Sequence, residues 1–243
     1  MKKQKNNKKM KILKLSTYIL LFLILVYSGS RIYVWNNENN KTKIIQENLK
    51  DITKLQKSNN EINFEKLKSQ NSDTVFYLKV NNTNISYPVV KYSDNNYYLN
   101  HSFDKSKNSA GWLFADYTNK LDGTDKNIVV YGHNRRDGSM FGTLKNILNK
   151  EWYDNTDNMD IVYMDIRGKH IYKVFSIYKI ENEDYYITTQ FNNDIEYKKF
   201  LITIKGRSIK DFNVEVSETD SILTLSTCAN NNKYRVVLHA KRI

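Results

Sequence analysis

A thiol, a guanidinium and an imidazole are the side chains in this sequence with the chemistry to break an acyl bond. The single cysteine, Cys228, ends the alternating run SILTLSTC that begins at Ser221. Read as a strand, the run puts Ile222, Thr224, Ser226 and Cys228 on one face and Leu223, Leu225 and Thr227 on the other. After a polar turn, Ala229 to Lys233, a second alternating run sets Arg235, Val237, His239 and Lys241 opposite Val236, Leu238 and Ala240. Two short strands joined by such a loop form an antiparallel hairpin, which brings Cys228 and Arg235 together at its loop end. A neighbouring cation favours a thiolate, and a fixed donor stabilises the oxyanion of acyl transfer.

The missing partner is a proton carrier, and the chain has four histidines: His101, His133, His170 and His239. His239 lies four residues past Arg235 on the same strand, about 13 Å away, too far to serve the same thiol. His170 alternates with Tyr172 and Val174 as half-buried structure, and His101 sits in a loop. His133 follows the apolar run NIVVY (Asn127 to Tyr131) and Gly132, so it stands at a strand's rim, and it is the choice of base. Thr227 and Ser226 are positioned either to tune the thiol by hydroxyl hydrogen bonds or simply to pack. Asp137 and Asp184 are the carboxylates available for a third position, though nothing in their spacing requires one.

The combination of TLSTC at Thr224 to Cys228, YGHN at Tyr131 to Asn134 and an arginine opening the last strand resembles the sortase family, transpeptidases of Gram-positive cell surfaces. YYLNHSF (Tyr97 to Phe103), GSMFGTLKN (Gly138 to Asn146) and DYYITTQF (Asp184 to Phe191) are similar to class B sortases in particular. The resemblance covers about Asp73 to Ile243. It implies a closed β-barrel with N-terminal helices and a helix in the long connection before the last strands. It also implies Cys228, His133 and Arg235 as the catalytic trio, an Asn-Pro-X-Thr-Asn-like sorting-signal peptide as substrate, and a peptidoglycan precursor amine as acceptor. By the same analogy Asn95 and Leu99 line the substrate groove and Tyr186 and Ile187, beside the helix of the long connection, either contact the substrate or simply pack; Ser226 and Thr227, next to the thiol, are further candidates for substrate binding. One departure is the seven-residue step from Cys228 to Arg235, shorter than in some class B relatives, which bears on the groove wall beside the thiol.

The elements that must position these groups can be read from pattern. Of 243 residues, 40% are hydrophobic and only one is proline, while 18 are tyrosine; this composition fits a β-rich globule with a real core. The formal charge of +12 is concentrated at the front. Seven lysines up to Lys14, with Arg31, account for eight of the 38 basic residues, leaving 30 against 26 acidic ones. With no phosphate loop and only eight glycines, nothing points to nucleic acid. Residues 1–14 read as a cytoplasmic basic tail. Leu15 to Trp35 is long and apolar enough to span a membrane, with Tyr33 and Trp35 as an interfacial belt and the lysines holding the N-terminus inside. The reading is therefore a single-pass membrane protein with an extracellular catalytic body. Ser28 and Ser30 leave a cleaved signal peptide as the competing reading. Outside the cytoplasm one cysteine has no internal disulfide partner, which marks it as a candidate for reactivity. No cysteine or histidine pair has metal-ligand spacing, so no metal and no cofactor is expected.

Between membrane and body, residues 36–72 carry Ile44, Ile45, Leu49, Ile52 and Leu55 at helical spacing, then Ile62, Phe64 and Leu67, a helical spacer or docked helices. In the body, residues 73–243, strands are expected at Thr74 to Val80, Ile85 to Val90, Gly111 to Ala115, Asn127 to Tyr131, Ile161 to Ile166, His170 to Ile180 and across Ser221 to Arg242. A helix starting near Ser139 would bury Phe141, Leu144, Ile147 and Leu148, and a second, Asp194 to Lys205, would bury Tyr197, Leu201 and Ile204. The expected function is a membrane-anchored cysteine transpeptidase. A cysteine peptidase releasing its product to water and a non-catalytic wall-binding domain with Cys228 in its core are the alternatives, separable by amine capture and by a Cys228→Ala protein.

Overall fold

The computed structural model describes residues 2–53, 62–229 and 233–243. The chain divides into two compact units, one ending at Lys43 and one running from Ile44 to Ile243.

Helix α1 (Lys2–Thr53) is continuous through the apolar stretch and the polar residues after it. Leu20, Phe22, Leu25 and Tyr33 are all exposed. It is the one helix among the described residues long and apolar enough to cross a membrane. Leu55, part of the expected apolar stripe, lies outside the described residues.

In the second unit Leu49 and Ile52 at the end of α1 are buried in the core, as are Ile62 and Leu67. Helix α2 (Phe64–Gln70) starts where Asn63 Oδ1 accepts the Lys66 amide at 2.8 Å. The body is a closed barrel of eight strands, mainly β with peripheral helices. These are β1 (Thr74–Val80), β2 (Ser86–Val90), β3 (Phe114–Ala115), β4 (Asn127–Gly132), β5 (Asp160–Asp165), β6 (Gly168–Glu181), β7 (Ile222–Ala229) and β8 (Tyr234–Arg242), in the order β1-β2-β3-β4-β7-β8-β6-β5. Short helix α3 (Lys150–Tyr153) precedes β5, and α4 (Asp194–Gly206) fills the connection from β6 to β7.

Alternation along β7 and β8 explains why this barrel has two cores. Leu223, Leu225, Val236, Leu238 and Ala240 point inward with Phe76, Leu78 and Val130, while Ile222 and Val237 belong to a second cluster with Tyr197, Phe200, Leu201 and Ile204 of α4. A fully buried Phe or Leu contributes about 1.5–3 kcal/mol, so α4 is held to the sheet by apolar burial. Its start is set by Asn193, whose Oδ1 accepts the Glu196 amide.

Two expectations are corrected. No helix starts at Ser139; its amide and hydroxyl are both taken by Asp137 Oδ1, at 3.0 and 2.6 Å, and Gly138 and Met140 adopt positive φ, which a helix does not allow. The chain turns back instead, Phe141 donating to the His133 carbonyl at 3.0 Å, and coils only as a 3-10 turn at Leu144–Leu148. The run 111–115 is strand only at Phe114–Ala115, because Gly111 has φ +61 and Trp112 bonds to the Tyr98 carbonyl rather than to a strand.

Candidate active site

The hairpin of β7 and β8 is in the expected register: Ser226 pairs with Val237, Thr227 with Val236 and Cys228 with Arg235. The Cys228 side chain lies outside the described atoms, so its place is given by the backbone pairing. Arg235 is partly buried and its Nη1 donates to the Tyr234 carbonyl at 3.2 Å.

On the other side of β7 runs β4, parallel to it, from Asn127 opposite Ile222 to Gly132 opposite Thr227. Residues 133 and 228 each come one position after that last pair. Neighbouring strands lie about 4.8 Å apart, so His133 leaves β4 beside the residue at which β7 carries its cysteine. Thr227 ties the two strands there, its Oγ1 donating to the Gly132 carbonyl at 2.6 Å. Position 132 must be glycine because a Cβ would meet Leu113 at 2.2 Å and Phe141 at 2.8 Å.

The imidazole of His133 is held from a third segment. Its Nε2 lies 2.7 Å from the Leu99 carbonyl oxygen. A carbonyl only accepts, so Nε2 carries the hydrogen and Nδ1 is the nitrogen left to gain and lose a proton. Leu99 ends a 3-10 turn, Tyr97–Leu99, and is itself exposed. Gly111 lies under the contact: a Cβ there would stand 2.6 Å from the Tyr98 oxygen, 2.9 Å from the Leu99 oxygen and 3.0 Å from His133 Cδ2.

The other histidines are engaged in structure. His101 stacks on Tyr97 at 4.0 Å, and His170 Nδ1 lies 2.9 Å from Arg242 Nη2. His239 is fully buried between Tyr178 Oη and Thr224 Oγ1, each at 2.8 Å, and burial followed by the charge of Arg207 pushes its pKa down to about 3. It is therefore neutral near pH 7.

The candidate groove residues fall into two sets. Leu99 is exposed and Ile187 partly so, on the 3-10 turn Tyr185–Ile187. Tyr186, Ser226 and Thr227 are buried, and the Tyr186 and Ser226 hydroxyls are 2.8 Å apart, tying that turn to β7 two residues before Cys228. Asn95 is clasped to residues 116 and 117: its Nδ2 donates to Asp116 Oδ2 at 2.9 Å and its Oδ1 accepts the Tyr117 amide at 3.0 Å. Of the two carboxylates, Asp137 is engaged by Ser139 and Arg135, and Asp184 is exposed just before the 185–187 turn. A cavity of about 490 Å³ beside α4, lined by Phe175, Leu201, Ile202 and Val216 among others, includes none of these side chains.

Sequence reading passed over Gly111 and Asp116. Asp116 is 6% exposed and also accepts from Tyr131 Oη at 2.8 Å, while burial and then the Asp116 charge hold the Tyr131 phenol protonated, far above its ordinary range. The available signal was an acid directly after the apolar run GWLFA, where a buried charge needs donors.

A family model for the sortase domain matches residues 78–243. Sortase B of Listeria monocytogenes serovar 1/2a is 35% identical over 160 residues, covering 65% of this chain and 64% of that protein; the chain thus spans a little under two thirds of this relative. The crystal structure of Staphylococcus aureus Sortase B superposes with a TM-score of 0.75 at 32% identity, over 85% of this chain and 98% of that one. A crystal structure of Sortase B complexed with triglycine does so at 0.76 and 32%, over 86% of this chain and 98% of the other.

Proposed function

The chain belongs to the sortase family, and from that premise we propose that it is a membrane-anchored class B-type cysteine transpeptidase acting on sorting signals of surface proteins. The observation that carries this reading is the register of β4, β7 and β8, with Cys228 opposite Arg235 and His133 one position past the Gly132–Thr227 pair.

In this mechanism the Cys228 thiolate attacks the carbonyl carbon of the signal peptide's Thr, forming a C–S bond. Arg235 donates to the oxyanion of the tetrahedral intermediate. The C–N bond breaks as protonated His133 gives the Nδ1 proton to the departing amine, leaving a thioacyl enzyme and neutral imidazole. An acceptor amine then attacks the thioester, His133 takes its proton at Nδ1, and sulfur leaves as thiolate. The cycle restores both groups without any cofactor. The Leu99 carbonyl supports these roles by occupying Nε2. Leu99 and Ile187 touch the peptide at the rim, while Asn95, Tyr186, Ser226 and Thr227 shape the groove from behind. A wall amine as acceptor is favoured by the relative complexed with triglycine.

Residues 15–35 form the anchor of this proposal, with the lysine-rich residues 1–14 in the cytoplasm, residues 36–72 as the link whose Leu49, Ile52, Ile62 and Leu67 dock on the body, and residues 73–243 as an extracellular catalytic domain. The test is incubation with fluorogenic peptides ending in Thr-Asn or Thr-Gly motifs, with and without triglycine. A Cys228 thioacyl adduct seen by mass spectrometry, faster product formation with triglycine and silence of Cys228→Ala are expected. Hydrolysis unaffected by triglycine supports a peptidase instead, and turnover by Cys228→Ala rejects the nucleophile.

A further inference from the structure

We propose that Asp116 is a positioning residue for the His133 imidazole, an inference that rests on the transpeptidase reading for its catalytic meaning. Asp116 directly follows β3, its amide bonded to the Val129 carbonyl of β4 at 2.9 Å. Its carboxylate takes four hydrogen bonds. Oδ2 accepts from Asn95 Nδ2 at 2.9 Å and Tyr131 Oη at 2.8 Å; Oδ1 accepts from the Thr118 amide at 2.8 Å and the Thr118 hydroxyl at 2.6 Å. Hydrogen bonds to an ionised acceptor are roughly twice as strong as neutral ones, so this buried carboxylate is a stiff junction.

Two of its arms converge on one ring. Tyr131 stands two residues before His133 on β4. Asn95 opens the segment that ends at Leu99, whose carbonyl holds His133 Nε2. One carboxylate thus fixes both the strand that carries the imidazole and the segment that supplies its acceptor. A third arm reaches the opposite wall, since Thr118 Oγ1 is 2.7 Å from Thr189 Oγ1, two residues past Ile187. Asparagine in place of Asp116 keeps the shape but offers one acceptor oxygen and turns an N–H₂ toward existing donors. The segment 95–99 then loses one of its anchors, and the Leu99 oxygen shifts relative to Nε2.

The experiment is ring ¹⁵N NMR on the full-length protein in detergent micelles, labelled at its four histidines, with His133 assigned by His133→Gln. In the wild type, neutral His133 is expected to show a protonated Nε2 and a bare Nδ1. In Asp116→Asn its shifts move toward the average of the two tautomers and its titration midpoint moves, while His101, His170 and His239 stay in place. Tyr131→Phe, which removes one arm, shifts His133 in the same direction by less. With a fluorogenic Asn-Pro-Gln-Thr-Asn peptide and triglycine, Asp116→Asn lowers kcat about 10- to 100-fold with KM within about twofold, the scale of a sub-ångström misplacement of a reacting group. A folded Asp116→Asn protein with wild-type His133 shifts and pH profile overturns the proposal, whatever happens to its melting temperature. Should Asp116→Asn not fold, Tyr131→Phe and Asn95→Ala decide, and unchanged His133 shifts in both overturn it. Absence of turnover in the wild type defeats the transpeptidase reading alone, because the ring shifts still decide the positioning.

Discussion

Replacing Gly111 by alanine tests how His133 is held. The residue adopts φ +61, where a Cβ costs about 1–2 kcal/mol. The new methyl would also stand 2.6 and 2.9 Å from the Tyr98 and Leu99 carbonyl oxygens and 3.0 Å from the imidazole. To reach ordinary contact near 3.4 Å the two oxygens must retreat by about 0.5 to 0.8 Å, and the Tyr98 oxygen is tied to the Trp112 amide. Overpacking of this kind costs about 1–3 kcal/mol, giving a total of roughly 2–5 kcal/mol. For a unit of this size that lowers Tm by about 4 to 20 °C. Because the displaced oxygen is the one that accepts from His133 Nε2, kcat should also fall, about 10- to 100-fold. Gly168→Ala is the control, with φ +122 and no atom within 4 Å of a new Cβ, so it bears strain without collision and should keep its kcat. Thermal unfolding and peptide turnover are measured on both. If Gly111→Ala retains the kcat of Gly168→Ala, the Leu99 oxygen does not set the imidazole, and the reasoning fails.

Further expectations concern the strands around the site. Thr227→Val removes the donor to the Gly132 carbonyl and should cost about 1–3 kcal/mol, the penalty for an acceptor left buried without its partner; a change under about 0.5 kcal/mol in denaturant unfolding would show that water replaces it. Arg235→Lys keeps the charge but loses the planar fork, and a loss of about 10²-fold in kcat with intact thioacyl capture at long times is expected; wild-type turnover would remove Arg235 from the oxyanion role. His239 is held neutral, with its pKa depressed to about 3, so the unfolded chain binds the extra proton first. Its contribution to stability is complete above pH 6.5 and is lost as pH falls from there toward 3, on the order of 1 kcal/mol per unit. Denaturant titrations of wild type and His239→Gln should therefore converge over that range, and a constant gap between them would refute the assignment.

The strands that carry the candidate site were legible because they follow a two-residue periodicity. The alternation of Leu223 and Leu225 with Thr224 and Ser226 separates an apolar face from a hydroxyl-bearing one, and because both faces are buried a one-residue slip would put the hydroxyls into the barrel core in place of the leucines. The hairpin register therefore follows from pattern, and with it the backbone pairing of Cys228 with Arg235. The helix expected at Ser139 failed for a local reason: Phe141, Leu144 and Ile147 have the right spacing, yet Asp137 captures Ser139 and Met140 takes a positive φ. Side-chain competition for backbone amides outweighed the apolar stripe.

What the amino-acid order alone determined is the set of elements and the pair of groups within one hairpin, since a strand's faces and a short loop's closure are local properties. It also determined the long apolar N-terminal segment, since length and absence of charge are read directly. Only the closed barrel decided that β4 lies parallel to β7, because nothing local specifies which strand pairs across a separation of 95 residues, from Asn127 to Ile222. That pairing brings His133 beside residue 228. It is also tertiary contact that gave Gly111, Leu99 and Asp116 their parts, for a carbonyl oxygen and a buried carboxylate acquire a role only from the donors that folding brings to them.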